Sequence, residues 1–190
     1  MRTGSDLWRK PEAGGGVHIL QGGFRSGLSL KRQVLLADLA ISDARARGRQ
    51  IRLVALDLVK AFDMIPKEFA VHCAVNLLKD HCPRLANLVA SISLERIDAQ
   101  IGEQRFAVRT GVPQGGVLTP WLFICAMNDL ARRINDGGYT LQDCTRIGNP
   151  LYADDVLLVD DSADESESRC RFVESWVHEW GGKLNSGKTQ

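Results

Sequence analysis

The chain has 190 residues, of which 44% are hydrophobic and 25% charged, and these values exclude wholesale disorder. This length suits one domain with one sizeable core, and no apolar stretch is long enough to predict a membrane span. The formal net charge of +1 lacks the basic excess typical of nucleic-acid binders. The charge is uneven, however, because residues 1–60 carry eleven Lys and Arg against five Asp and Glu. Residues 154–167 carry seven acids and no base, so the average says little against a polyanionic partner.

The five cysteines are widely spaced and include no Cys-x-x-Cys pair. An odd set of this kind is typical of reduced thiols and predicts an intracellular protein. The start of the chain, residues 1–16, is polar and rich in glycine, which is unlike a secretory signal peptide. We predict that residues 1–20 form a flexible lead-in and that residues 21–190 form the folded domain.

The first half of the chain predicts a helix, a strand and two further helices. Apolar residues recur at helical spacing between Ser29, a suitable N-cap, and Gly48, a suitable stop. Residues 51–58 are short and rich in branched apolar side chains, which predicts a buried strand. Pro66 and Pro83 each stand at the start of an amphipathic helical pattern.

The second half predicts two hairpins and two helices. Residues 97–108 alternate around a Gly-Glu turn, which indicates a hairpin. Thr119, followed by a proline, predicts the N-cap of a long helix. Residues 151–159 read as a second hairpin, and residues 165–180 as the last helix. This mixed order predicts an α+β fold with helices packed on one face of a mainly antiparallel sheet.

Three carboxylates stand where charge is unexpected. Asp57 interrupts an apolar strand, where a charge is costly unless something pairs with it, although it could also mark a strand end that has reached solvent. Asp154 and Asp155 lie together at a turn with no base nearby, although aspartates are also common in turns. If the three converge, they form a hard-oxygen site for Mg²⁺, and two such ions about 4 Å apart support phosphoryl transfer. The acids from Asp160 to Glu167 are interpreted as a solvated face.

The loop at residues 111–120 is the third chemical feature. Its glycines allow backbone to approach a ligand closely, and Gln114 offers both a donor and an acceptor. The alternative is a glycine-rich loop that merely precedes a capped helix.

Five segments, in this order, resemble the motifs of a reverse transcriptase palm and its neighbourhood. They are residues 21–27 (QGGFRSG), 56–63 (LDLVKAFD), 111–116 (GVPQGG), 152–155 (YADD) and 182–189 (GKLNSGKT). The first resembles the Gln-x-Gly-Phe-Arg segment of non-LTR retrotransposon and group II intron enzymes. The fourth is similar to the Tyr-x-Asp-Asp turn that defines the family. The sequence is therefore identified as a member of the non-LTR branch of this family, with a polymerase palm fold.

The resemblance implies a role for each matching position. Asp57, Asp154 and Asp155 match the catalytic carboxylates that hold two Mg²⁺ ions, for which Mn²⁺ can substitute, and Asp155 mainly supports the site. Lys188 matches a proton donor to pyrophosphate. The positions that match substrate contacts are Arg25, Phe62, Gln114, Gly115 and Tyr152. Phe62 matches the aromatic residue that excludes a 2′-hydroxyl, and the alternative is that it is only a core residue.

The implied activity is RNA-directed DNA polymerisation, in which a DNA primer 3′-hydroxyl attacks the α-phosphate of a dNTP on an RNA template. The implied setting is a retroelement protein in the nucleus or cytoplasm, without membrane contact. We expect the palm with part of the fingers and no thumb, because few residues precede residue 21 and few follow the last motif. The alternative is an inactive retroelement remnant or a non-catalytic scaffold that binds nucleic acid.

Overall fold

The computed structural model describes residues 16–93, 98–101, 103–107, 111–112 and 115–185. Within these residues no helix is both long and apolar enough to cross a membrane. The elements, in chain order, are α1 (Leu30–Ala46), β1 (Arg52–Leu56), α2 (Ala61–Met64), α3 (Lys67–Leu78), α4 (Pro83–Ser93), β2 (Asp98–Ile101), β3 (Gln104–Ala107), α5 (Thr119–Ile134), β4 (Tyr139–Thr140), β5 (Arg146–Ile147), β6 (Leu151–Tyr152), β7 (Asp155–Asp160) and α6 (Ala163–Glu179).

The central sheet has three antiparallel strands in the order β1-β7-β6. Leu56 at the end of β1 lies opposite Val156 at the start of β7, and Leu151 of β6 pairs with the same Val156. The end of β1 therefore lies beside the turn that joins β6 to β7. The pairs β2–β3 and β4–β5 form separate two-stranded ladders.

Both faces of β7 are packed, because successive side chains of a strand point to opposite sides of a sheet. Val156 and Leu158 belong to the main core, which they share with residues of α3, α5 and α6. Val159 belongs to a smaller cluster that includes Ala40 and Ala44 of α1. The α+β prediction is confirmed, and α3, α5 and α6 share one face, while α1 packs against the other.

The predicted helices and hairpins are present with small shifts. Gly48 follows α1 with a φ of 60°, Pro66 precedes α3, and the two hairpins pair as predicted. Thr119 is the first residue of α5 and not its cap, since Leu118 occupies the N-cap position. The sequence does not predict α2, β4 or β5, because elements of two to four residues are too short to show a period.

The prediction of a buried strand at residues 51–58 holds for only two of its eight residues, Leu56 and Leu58. Arg52, Leu53 and Ala55 are exposed, and Leu56 is buried. Leu53 and Ala55 lie on the α1 side of the sheet, which α1 covers only in part. The large apolar residues near the start of α1, including Leu30, are exposed as well, whereas its small Ala40 is fully buried.

The interpretation of Asp160 as part of a solvated acidic face is also wrong. Asp160 is fully buried at the end of β7, and its carboxylate pairs with Arg169 of α6. Burial raises the pKa of Asp160, and the charge of Arg169 opposes that shift. The sequence pattern does not predict this pair, because the two residues lie nine positions apart on different elements.

The segment from Gly16 to Leu20 is attached to α5. The His18 backbone N–H donates to Asn128 Oδ1 at 2.6 Å, and Arg132 Nη2 donates to the Gly16 carbonyl at 2.6 Å. These contacts hold the approach to residue 21 against the main core. The domain boundary at residue 21 stays a prediction.

Replacing Arg169 with Met is expected to lower the free energy of unfolding by about 3 kcal/mol, because it leaves the Asp160 carboxylate buried without its partner. Urea denaturation measures this change. The matched control is Arg171→Met. Arg171 pairs with Glu167 on α6, and both side chains are more than 60% exposed. Exposed ion pairs of this kind contribute little to the free energy of unfolding. Equal effects of the two substitutions would contradict the prediction.

Acidification below pH 6.5 is expected to destabilise the fold partly through His18. Burial, together with the charges of Arg132 and Arg25, lowers the pKa of His18. The unfolded chain therefore binds a proton more readily, so the stabilisation is present above the unfolded pKa and is lost as the pH falls through the folded pKa.

Urea unfolding at pH 7.5 and pH 5.5 tests this. His18→Gln should reduce the difference in unfolding free energy between the two pH values. His81→Gln, at an exposed position, should leave it unchanged. His72 keeps a share of the pH dependence, because burial also lowers its pKa. A His18→Gln protein with the full wild-type difference would count against this account.

Candidate active site at the end of the central sheet

The three predicted carboxylates lie at one edge of the central sheet. Asp57 directly follows β1, whose last residue, Leu56, pairs with Val156, the residue next to Asp155. Asp154 lies in the two-residue turn between β6 and β7, beside Asp155. Residues about 100 positions apart in the sequence therefore meet because β1 and β7 are antiparallel neighbours.

The main chain and side chain of Asp57 are both held by Asn185. The Asn185 N–H donates to the Asp57 carbonyl at 2.8 Å, and Asn185 Nδ2 donates to Asp57 Oδ2 at 2.9 Å. The Val59 N–H donates to the Lys183 carbonyl at 2.9 Å, and Leu58 bridges Leu184 in antiparallel fashion. Sequence reasoning assigned a role within this motif only to Lys188. The Leu-Asn pair was the available signal for Asn185.

The turn that carries Asp154 is held by Gln21. Gln21 Oε1 accepts the N–H of Ala153 at 3.0 Å, and Gln21 Nε2 donates to the Ala153 carbonyl at 3.0 Å. The same Oε1 accepts the N–H of Gly23 at 2.9 Å, and the Gln21 side chain is fully buried. Ala153 has a φ of 55°, a left-handed conformation that residues with a Cβ rarely adopt.

Backbone also approaches the turn closely at Gly23. A Cβ on Gly23 would lie 2.4 Å from the Ala153 nitrogen and 2.8 Å from its Cα. The Gly22 N–H donates to the Leu151 carbonyl at 2.8 Å, and the Leu151 N–H donates to the Leu20 carbonyl at 2.9 Å. Residues 20–23 therefore flank β6 on the side opposite β7. Only a glycine fits where this segment passes the turn.

Phe62 lies in α2, five residues after Asp57, and joins an aromatic row. Its ring stacks on Phe123 of α5, with centroids 3.9 Å apart and planes 10° apart. Phe24 meets Phe62 edge to face at 6.1 Å. Phe24 is 59% exposed and has a φ of 51°. Phe62 is half-buried, so it packs against the core and keeps part of its ring accessible.

The second predicted motif begins against α2. The Val112 N–H donates to the Phe62 carbonyl at 2.8 Å, and a Cβ on Gly111 would lie 2.8 Å from the Asp63 carbonyl oxygen. Gly115 is exposed with a φ of 90°. Gln114 and Lys188, the predicted nucleotide contact and proton donor, lie outside the described residues.

The remaining two predicted substrate contacts, Arg25 and Tyr152, differ in their surroundings. Arg25 Nη1 donates to the carbonyls of His18 at 2.7 Å and Gln21 at 2.9 Å. The Arg25 side chain therefore stabilises the segment in which it lies. Tyr152 is half-buried and lines, with Asp57 and Asp155 among others, a groove of about 420 Å³ between α1 and the sheet. Substrate binding by Arg25 and Tyr152 stays a prediction.

The donor chemistry of the sheet edge fits a hard divalent cation such as Mg²⁺, which takes carboxylate oxygens. The three carboxylates share that edge of the sheet. Across the described ranges, no group of three or more acidic, His or Cys side chains is arranged to hold a metal ion. The residues present thus fit the ion by type and by their common edge.

An antiparallel sheet that carries helices of the main core on one face and aspartates at one edge is the arrangement of a polymerase palm. The chain belongs to the family described as reverse transcriptase (RNA-dependent DNA polymerase), whose model matches residues 16–190. This result confirms the family that the sequence motifs predicted.

Similar proteins include retrovirus-related Pol polyproteins from the type-1 retrotransposable element R2. One from Popillia japonica is 25% identical over 96% of this chain and 26% of the relative. Another from the same species is 26% identical over 67% of this chain and 22% of the relative. One from Nasonia vitripennis is 25% identical over 74% and 14%. The chain therefore spans about a quarter or less of the length of the curated relatives it matches.

Among solved structures, the fold is similar to two telomerases. Telomerase from Candida albicans, in complex with a TWJ fragment of telomeric RNA, superposes with a TM-score of 0.61 at 11% identity, covering 89% of this chain and 30% of that one. Apo telomerase from Candida tropicalis, truncated from its C-terminal domain, gives 0.59 at 12% identity, covering 85% and 35%.

Gly23→Ala is expected to lower the free energy of unfolding by about 1–3 kcal/mol, because the new methyl meets backbone that cannot move without distorting the turn. Chemical denaturation measures the loss. The comparison is the adjacent Gly22→Ala, whose methyl meets the end of the Gln33 side chain at 2.5 Å and disturbs one hydrogen bond, from Gln33 Nε2 to the Leu20 carbonyl, but no backbone. The prediction fails if Gly22→Ala is as destabilising as Gly23→Ala.

Proposed function

We propose that this chain is the palm, with part of the fingers, of an RNA-directed DNA polymerase from a non-LTR retroelement. The observation that carries the proposal is the arrangement of Asp57, Asp154 and Asp155 at one sheet edge in a member of the reverse transcriptase family. Residues 21–190 form the polymerase part in this proposal, residues 1–20 lead into it, and the protein acts in the nucleus or cytoplasm.

Asp57 and Asp154 would hold the divalent cations, with Asp155 supporting the site. The donor set favours Mg²⁺, in two copies, and Mn²⁺ as a substitute. When bound, such ions lower the pKa of an attacking hydroxyl and neutralise the charge that develops on phosphate. The role of this chain's own residues would be to hold the carboxylates in place. Asn185 holds Asp57 through its hydrogen bond to Oδ2.

The nucleotide would lie between the carboxylates and the aromatic row. Phe62 would restrict the sugar, since it follows Asp57 by five residues and its ring stacks on Phe123. Gln114 and Gly115 would contact the nucleotide through amide and backbone groups, and Tyr152 and Arg25 would contact the substrates. Lys188 would donate a proton to the leaving pyrophosphate.

The polyanionic partners would be an RNA template and a DNA primer. The excess of Lys and Arg in residues 1–60 supports backbone contacts that do not read sequence. An RNA–DNA hybrid is close to A-form, so its shape suits recognition without base contacts. A telomerase with a similar fold is in complex with an RNA fragment, which supports an RNA partner here.

Primer extension with Mg²⁺ and dNTPs on an RNA template tests the proposal. Asp57→Asn and Asp154→Asn are each expected to reduce the rate by at least about a hundredfold, because each removes a charged ligand from the site. The matched control is Asp38→Asn, since Asp38 is exposed on α1 and does not line the groove beside Asp57 and Asp155. Extension that is equal in the wild-type protein and Asp154→Asn would refute the catalytic assignment.

A non-catalytic scaffold for nucleic acid is the second candidate function. It is supported by the excess of Lys and Arg in residues 1–60, which would hold a polyanion whether or not catalysis follows. Tight binding of a primer–template by the wild-type chain without any extension would support the scaffold and exclude the polymerase proposal for this chain.

A further inference from the structure

The Gln21 side chain occupies the most constrained position near the candidate site. It is fully buried, and both of its polar atoms bond the backbone of one residue, Ala153. The bonded residue is the first of the turn, directly before Asp154. The segment that supplies Gln21 lies more than 130 positions earlier in the chain.

Ala153 needs such support because its backbone is strained. Its φ of 55° lies in the left-handed region, which costs a residue with a Cβ about 1–2 kcal/mol. The Gln21 amide forms a reciprocal pair with the N–H and carbonyl of Ala153, both at 3.0 Å. Since Ala153 is buried, losing Gln21 would leave these two groups without their hydrogen-bond partners.

We propose that Gln21 is a positioning residue, which fixes the left-handed Ala153 and thereby sets the position of the Asp154 carboxylate for phosphoryl transfer. It acts through the turn and does not touch substrate. The catalytic part of this inference rests on the proposed function, whereas the effect on the turn does not.

Two readouts separate these parts. Gln21→Met keeps the approximate volume and removes the two hydrogen bonds to Ala153 together with the one from the Gly23 N–H. Hydrogen exchange on the free protein should then become about tenfold faster in residues 151–156, while β1 keeps its protection. In primer extension, kcat should fall by about ten- to a hundredfold, because a carboxylate misplaced by about 1 Å costs that much. The KM for dNTP should stay within about twofold.

The matched control is Asn149→Leu. Asn149 is another fully buried amide with two backbone bonds, since its Oδ1 accepts from Val159 N at 2.8 Å and its Nδ2 donates to the Ile134 carbonyl at 2.6 Å. These bonds lie away from the turn. Asn149→Leu should therefore lower stability without accelerating exchange in residues 151–156 or reducing kcat in the folded fraction.

Rescue distinguishes positioning from general destabilisation. Ala153→Gly removes the cost of the left-handed conformation, so in the Gln21→Met background it should restore about fivefold of the lost kcat. Unchanged exchange in residues 151–156 of Gln21→Met would overturn the inference whatever the activity. Faster exchange with an unchanged kcat would overturn its catalytic part. If the wild-type chain does not extend primer, the proposed function is refuted. Hydrogen exchange in residues 151–156 then still shows whether Gln21 fixes the turn.

Discussion

The antiparallel register of β1 and β7 is the constraint on which the candidate site depends. It sets Leu56 opposite Val156, and with it brings Asp57 to the turn that holds Asp154. A slip of β1 by one residue would turn Asp57 to the other face of the sheet and move Val54 and Leu56 of β1 away from the main core. The main core prevents that slip, because Val156 and Leu158 of β7 are buried against three helices.

Two segments then fix the sheet edge from outside. Residues 183–185 add a short pairing beyond β1, and residues 20–23 add one beside β6. In each case a side-chain amide completes the contact, from Asn185 to Asp57 and from Gln21 to Ala153. The carboxylates are thus held by contacts from both ends of the described chain.

The sequence predicted the elements and the site better than it predicted burial. The helices and hairpins followed from caps, prolines and periodicity, and Asp57 stood out because a charge in an apolar strand is costly. Burial depends on partners that only the fold supplies. Asp160 was assigned to a solvated face because its neighbours in sequence are acidic, although Arg169 pairs with it from α6. Gln21 was quoted only as the start of a motif, because nothing local indicates that its amide would reach residue 153.

The two cores of the molecule differ in size, and this difference has a dynamic consequence. The cluster beneath α1 contains few large side chains, and the start of that helix exposes Leu30 and Val34. A helix with so little buried apolar surface opens more often than the core around α5. Because Gln33 of α1 donates to the Leu20 carbonyl, each opening loosens the segment that ends in Gln21. The order of the turn that carries Asp154 is therefore coupled to the helix that covers the smaller core.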